Sequence, residues 1–149
     1  MYKHIVVAVD GSELTAKVLE HAFALARFTK AKVDAVTVTE PSVLVAPGAE
    51  MITISTAEML EELDRVAAED AKRILDKAKQ AAETVGVEVA VHHMKAQRAS
   101  DGILALAEDS QADLIVMGSH GRRGLGRLLL GSQASEVLSR TKSPVLIVR

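Results

Sequence analysis

Five short apolar runs recur along this chain, at 5–9, 32–38, 87–92, 114–117 and 143–149. They are rich in Val and Ile and mostly continuous in their apolarity, which suits strands buried on both faces. Between them the apolar spacing changes to three and four. Ala16, Leu19, Ala22, Phe23 and Ala26 fall on one helical face, with Ser12 placed to cap that helix and Glu13 in its first turn. From about Thr56 a longer stripe follows, made of Leu60, Leu63, Ala67, Ala71, Ile74, Ala78, Ala81 and Val85. Glu61, Asp64, Arg65, Lys72, Arg73, Asp76 and Lys79 read as its wetted faces, and Gly86 as its stop. Shorter helices are expected over 99–108, with Ile103, Leu104 and Ala107 inward, and from Gly131-Ser132 through Leu138. Gly102 should weaken the first of these by about 0.5–1 kcal/mol relative to Ala.

Strands that alternate with helices in this way require a parallel sheet covered on both faces, joined by right-handed crossovers. The 149 residues are enough for one domain with a sizeable core and hold no repeat or linker that would divide them, so 1–149 reads as a single domain. Residues 41–56 are irregular, with Pro41, Pro47 and Gly48, and a connection of that length is uncommon unless it is mobile or used in binding. The last strand is apolar through 145–148. At a sheet edge it would invite another chain, and a homodimer joined there would remove the liability; a monomer with a short, covered edge is the alternative.

Composition excludes several classes of function. The absence of cysteine rules out disulfides, thiolate catalysis and Cys-based metal sites. Aromatic residues make up 2% and Trp is absent, which leaves no stacking platform for single strands. A net charge of −2 provides no global field for nucleic acid or an acidic membrane. The N-terminal apolar run is too short to span a bilayer and lacks a signal-peptide cleavage pattern, so cytoplasm is the default compartment. No nucleic-acid or membrane partner is expected.

The chemistry-bearing stretch is 118–132, which runs from the carboxyl end of the fourth strand to the start of a helix. Ligands of open α/β sheets sit at that rim. Gly118, Gly121 and Gly131 permit close backbone approach to an anion, Ser132 adds a hydroxyl, and the helix beginning there supplies unpaired amides. The same residues are equally compatible with tight turns and a plain helix cap. Two familiar nucleotide signatures fail: Gly131 is followed by Ser132 and Gln133 rather than Lys, and Asp10-Gly11-Ser12 has one glycine where a dinucleotide fingerprint needs three.

Asp10, at the end of a buried strand, is either a cofactor contact or an acceptor for nearby amides. Arg122, Arg123 and Arg127 either neutralise phosphate or lie in solvent, and Arg122 is the stronger candidate because it adjoins Gly121. His120 either lines the site or simply packs. His92 and His93 should point to opposite faces, while His4 and His21 have no partner at metal-ligand spacing. Ser119 and His120 are neighbours, which is not in itself a proton-relay geometry.

The combined pattern resembles the universal stress protein family, in its nucleotide-binding branch. Gly118, Gly121, Gly131 and Ser132 match glycine, two residues, glycine, nine residues, then glycine with Ser or Thr. Val-Ala-Val-Asp-Gly-Ser at 7–12, Ala-Asp-Leu-Ile-Val-Met-Gly-Ser-His-Gly at 112–121 and Ser-Pro-Val-Leu-Ile-Val at 143–148 support the match. The resemblance implies an open, doubly wound five-stranded parallel sheet of order 3-2-1-4-5 and a homodimer through the fifth strand. It also implies ATP or another adenine nucleotide in a cleft. Gly118, Gly121, Gly131 and Ser132 would grip the phosphates, with Arg122 and Gln133 beside them. Asp10 would lie near ribose and phosphates, directly or through Mg2+. The Val38 backbone would meet adenine beside Ala8 and Val9, and Met117 and His120 would line the cleft. Residues 96–99 depart from the family's glycine and proline, which leaves the local loop and any Arg98 contact open. The expected role is a stress-response regulator that binds nucleotide and a protein partner. A slow ATP hydrolase and a nucleotide-independent dimeric interaction protein are the alternatives.

Overall fold

In the computed structural model, which describes residues 1–41, 57–122 and 130–149, apolar alternation within each strand feeds two separate cores. The elements run β1 (His4–Ala8), α1 (Thr15–Thr29), β2 (Lys32–Thr39), α2 (Ala57–Val85), β3 (Val89–Lys95), α3 (Ala99–Asp109), β4 (Leu114–Gly118), α4 (Ser132–Arg140) and β5 (Val145–Val148). Ile5 and Val7 point to one face, where Val33, Ala35 and Val116 pack beneath Phe23 of α1 and Ile74 of α2. Val6 points to the other, joining Val36, Ile115 and Met117 beneath Ile103 of α3 and Val137 of α4. Both faces of the central strands are therefore dry, as their continuous apolarity requires.

All pairings are parallel and the sheet order is β3-β2-β1-β4-β5. Winding runs outward from β1 through β2 to β3, then restarts on the other side at β4. The helices change faces at that restart. The carboxyl ends of β1 and β4 thus lie side by side with no crossover helix between them, which opens a crevice.

Several boundaries differ from the sequence reading for identifiable reasons. α1 begins at Thr15, so Ser12 does not cap it: its N-cap is Leu14, with no side-chain cap bond. Gly11 takes φ +75° there, and the tight turn it makes delays the helix. On α1 it is Val18 rather than Ala16 that is buried. The α2 stripe rotates toward Leu75 and Ala82, and Leu60 and Val85 stay exposed. On α3, Leu106 takes the fully buried place expected of Leu104. β3 starts at Val89 because Gly86, at φ +69°, and Val87 still donate N–H groups to Glu83 and Ala82 at the end of α2. Residues 42–56, which hold most of the irregular connection, lie outside the described residues, as do Arg123 and Arg127.

At the amino end of the sheet, Asp34 is a buried carboxylate shared by two rings. His4 Nε2 lies 2.7 Å from Oδ2 and His92 Nε2 3.2 Å from Oδ1. His93 Nε2 instead meets Thr39 Oγ1 at 2.9 Å, so the adjacent histidines part to different partners. No helix among the described residues is long and apolar enough to cross a membrane.

Candidate functional site

The crevice between β1 and β4 widens into a cleft of about 810 Å³, and the site residues that the family resemblance implies line it. Ala8, Val9 and Asp10 come from the end of β1, Val38 from β2, and Met117, Gly118, His120, Gly121 and Arg122 from β4 and its turn. Gly131, Ser132 and Gln133 open α4.

The two glycine turns abut. Gly131 N–H donates to Ser119 C=O at 2.7 Å. A Cβ on Gly131 would lie 3.0 Å from that oxygen and 3.2 Å from His120 Cα, so a side chain would wedge the turns apart. Gly131 therefore contributes closeness, since its own N–H is already engaged. The donors at the mouth are the first-turn amides of α4, at Ser132, Gln133 and Ala134. Helical bonding starts with Ser135 N–H to Gly131 C=O, which leaves these three without a partner in the helix. With the dipole of α4 behind them, they suit an anion.

Asp10 ties this rim together. Its Oδ1 accepts from Ser12 N–H at 2.9 Å and Thr15 Oγ at 3.2 Å, and its Oδ2 accepts from Arg122 N–H at 3.1 Å. A Cβ on Gly121 would come within 2.8 Å of Oδ2. Among the described residues no group of three His, Asp or Glu side chains could hold a metal. Asp10 is thus a single carboxylate, a donor set that fits Mg2+ only when phosphate oxygens and water complete the octahedron.

The base end of the cleft follows from strand register. Val9 N–H donates to Val36 C=O at 2.9 Å, after which the chain turns at Gly11. Backbone groups of a strand alternate sides, so Val38, two residues beyond Val36, directs its N–H and C=O to the side β1 has vacated. Thr39 C=O faces the opposite way and accepts from Ala96 N–H.

Two features were not legible beforehand. Ser119 Oγ and His120 Nδ1 are 3.0 Å apart, so the neighbours do form a hydrogen bond. The α2 wall, with Leu63, Val66, Ala67 and Asp70, lines the same cleft, although Leu63 and Ala67 read from the sequence as core stripe and the charged residues of this helix as a wetted face. Asp70 stands three residues after Ala67 and four before Ile74. A carboxylate interrupting an apolar stripe was the available signal. Its Oδ2 accepts from Arg122 Nη2 at 2.6 Å and its Oδ1 from Arg73. The Arg122 bond, then the Arg73 bond, hold the Asp70 carboxyl below its ordinary range. Arg98 lies 3.7 Å from Glu136 and is not part of the lining.

Relatives share this architecture. Universal stress protein MJ0531 of Methanocaldococcus jannaschii is 36% identical over 149 residues, spanning all of this chain and 83% of that one. Universal stress protein YxiE of Bacillus subtilis is 31% identical over the full length of both. The solved structure of MJ0577, also from M. jannaschii, superposes with a TM-score of 0.81 at 31% identity, covering 99% of this chain and 96% of the other. A universal stress protein solved in complex with cAMP superposes at 0.72 with 27% identity, covering 99% and 97%. The model of the universal stress protein family matches residues 1–149, and this chain belongs to that family.

Proposed function

We infer that this chain is a stress-response regulator that binds an adenine nucleotide, ATP, ADP or AMP, in the β1/β4 cleft. The phosphates lie over the 118–121 turn and the first-turn amides of α4, and the base lies against Val38 and Ala8. The observation that carries this reading is the abutment of the two glycine turns through the Gly131–Ser119 bond, beside three amides with no helical partner. The cAMP complex of a relative at 27% identity supports an adenine ligand. Asp10 would supply one carboxylate ligand to a Mg2+ ion held with the phosphates, whose oxygens and water would complete the octahedron.

Binding rather than turnover is the function. Both Asp10 oxygens already accept hydrogen bonds, which leaves this carboxylate a poor base for an attacking water. The protein works in the cytoplasm as a homodimer joined along 145–148, where β5 is an edge strand, and presents its ligand state to a regulatory protein partner.

The test is calorimetric titration of nucleotide-free protein with ATP, ADP, AMP and GTP, beside Gly131→Val. Saturable adenine-nucleotide binding that Gly131→Val abolishes, in a protein still folded by circular dichroism, is expected. Wild-type protein that is folded and binds none of them refutes the reading. Product formation over time in wild type and Asp10→Asn separates binding from slow hydrolysis.

A further inference from the structure

The first part of α2 is weakly anchored. From Ala57 to Asp70 it has no buried residue, and its buried positions begin at Ala71. Yet Leu63, Val66, Ala67 and Asp70 form a wall of the cleft. Where this unburied stretch gives way to the buried one, Asp70 reaches across the mouth to Arg122. The guanidinium lies against Gly11, where a Cβ would sit 3.1 Å from Nη2, and its Nε donates to Asp10 C=O. Arg122 is 52% exposed and Asp70 26%, so the pair closes over the opening rather than inside the core.

We propose that Asp70 competes with ligand phosphate for Arg122 and thereby sets how strongly the cleft favours phosphorylated over unphosphorylated adenine ligands. The proposal rests on the nucleotide reading above and adds a residue to it. Arg122 directly follows Gly121 of the glycine turn, and its guanidinium is a forked donor suited equally to carboxylate and phosphate. A polyanion entering the mouth takes up the donor that Asp70 holds, and Asp70 retains its second partner, Arg73. Adenosine offers no charge to make that exchange. Asp70 therefore weakens phosphorylated ligands selectively, and the α2 wall is released when they bind.

The experiment is a double-mutant cycle read by calorimetry with ATP and adenosine, on wild type, Asp70→Asn, Arg122→Ala and the double variant. Both side chains are part-exposed, and urea midpoints confirm that each variant folds. An exposed ion pair is weak, so Asp70→Asn should tighten ATP about fivefold while leaving adenosine within about twofold. In the Arg122→Ala background the same substitution should change ATP by less than about twofold. Equal tightening of ATP in both backgrounds would mean plain charge repulsion and would overturn the proposal, as would unchanged or weaker ATP binding by Asp70→Asn. Those outcomes leave the nucleotide reading standing if wild type binds ATP. Wild type that binds neither ATP nor adenosine defeats that reading and this one together.

Discussion

Gly102 offers a test in which local propensity and packing give opposite signs. It is buried within α3, and an alanine there gains about 0.5–1 kcal/mol from reduced backbone entropy in the unfolded chain. The Cβ, however, would meet Val38 Cγ2 at 2.7 Å and Cγ1 at 2.9 Å, with Met94 Cβ at 3.3 Å. Reaching ordinary contact at 3.4 Å means a shift of about 0.7 Å from the nearest methyl (3.4 less 2.7). Val38 is β-branched and stiff at χ1, and its strand is paired to β3 through the Val38–Met94 register, so neither partner yields easily. Overpacking of this kind costs about 1–3 kcal/mol. Gly102→Ala should therefore lose about 1 kcal/mol net, visible as a lower urea midpoint at unchanged slope. Because Val38 lines the cleft, adenine-nucleotide affinity should fall as well. A Gly102→Ala protein more stable than wild type would refute the argument, since it would show that α3 rides freely over β2.

The remaining predictions concern the opposite end of the sheet and its edge. Asp34→Ala removes the acceptor shared by His4 and His92, and should cost about 1–3 kcal/mol in urea melts while leaving nucleotide binding unchanged. For Asp113, burial works to raise the carboxyl pKa, but the backbone N–H groups of His4 and Lys3 outweigh it and hold the carboxyl below its ordinary range. A depressed folded-state pKa gives stability that is present above the unfolded value near 3.8 and is lost as pH falls through the lower folded one. Asp113→Asn should therefore flatten the acid limb of a stability-versus-pH curve measured below pH 5, with little change in slope at pH 7. Pro144, just before β5, and Val148 within it accept from the N–H groups of Ile115 in β4 and of Ser119 just after it, so alternation turns the backbone of Val145 and Ile147 outward. Ile147→Pro removes an outward donor and should shift sedimentation from dimer toward monomer; an unaltered dimer would place the interface elsewhere.

The element order and the cleft lining were legible because each has a strong local signature. Continuous Val/Ile runs mark doubly buried strands, and glycines at fixed spacing after β4 mark a backbone built for close approach. What stayed hidden depends on contacts between distant segments. Gly102 looked like a flaw in a helix until Val38 stood against it, because no local pattern reports that a helix and a strand come this close. Ser12 looked like a cap by residue type, yet its N–H serves Asp10 and the helix waits until Thr15. Asp34, His4 and His92 are far apart in sequence and meet only through the registers that align β1, β2 and β3. Asp70 carried a faint signal as a charge inside an apolar stripe, but the pairing with Arg122 spans 52 positions.

A carboxylate beside the proposed phosphate cradle would repel its ligand, and the hydrogen bonds around Asp10 explain how the fold sustains it. Its charge is met by donors from both sides of the crevice: Ser12 N–H and Thr15 Oγ at the start of α1, and Arg122 N–H from the β4 turn. The same bonds join the ends of two strands that no crossover helix links, so Asp10 fixes the separation of the walls as well as the charge between them. Gly121 follows from this, since any larger residue would press on Oδ2. A polyanion at this rim would meet a carboxylate already neutralised in part by hydrogen-bond donors, in the cleft that the first-turn residues of α4 also line. Asp10 would also supply one carboxylate to a divalent ion accompanying the phosphates, and that charge would offset the repulsion left over. The cradle and its carboxylate are thus one device: the acid holds the turns in place, and the turns supply the donors that make the acid tolerable.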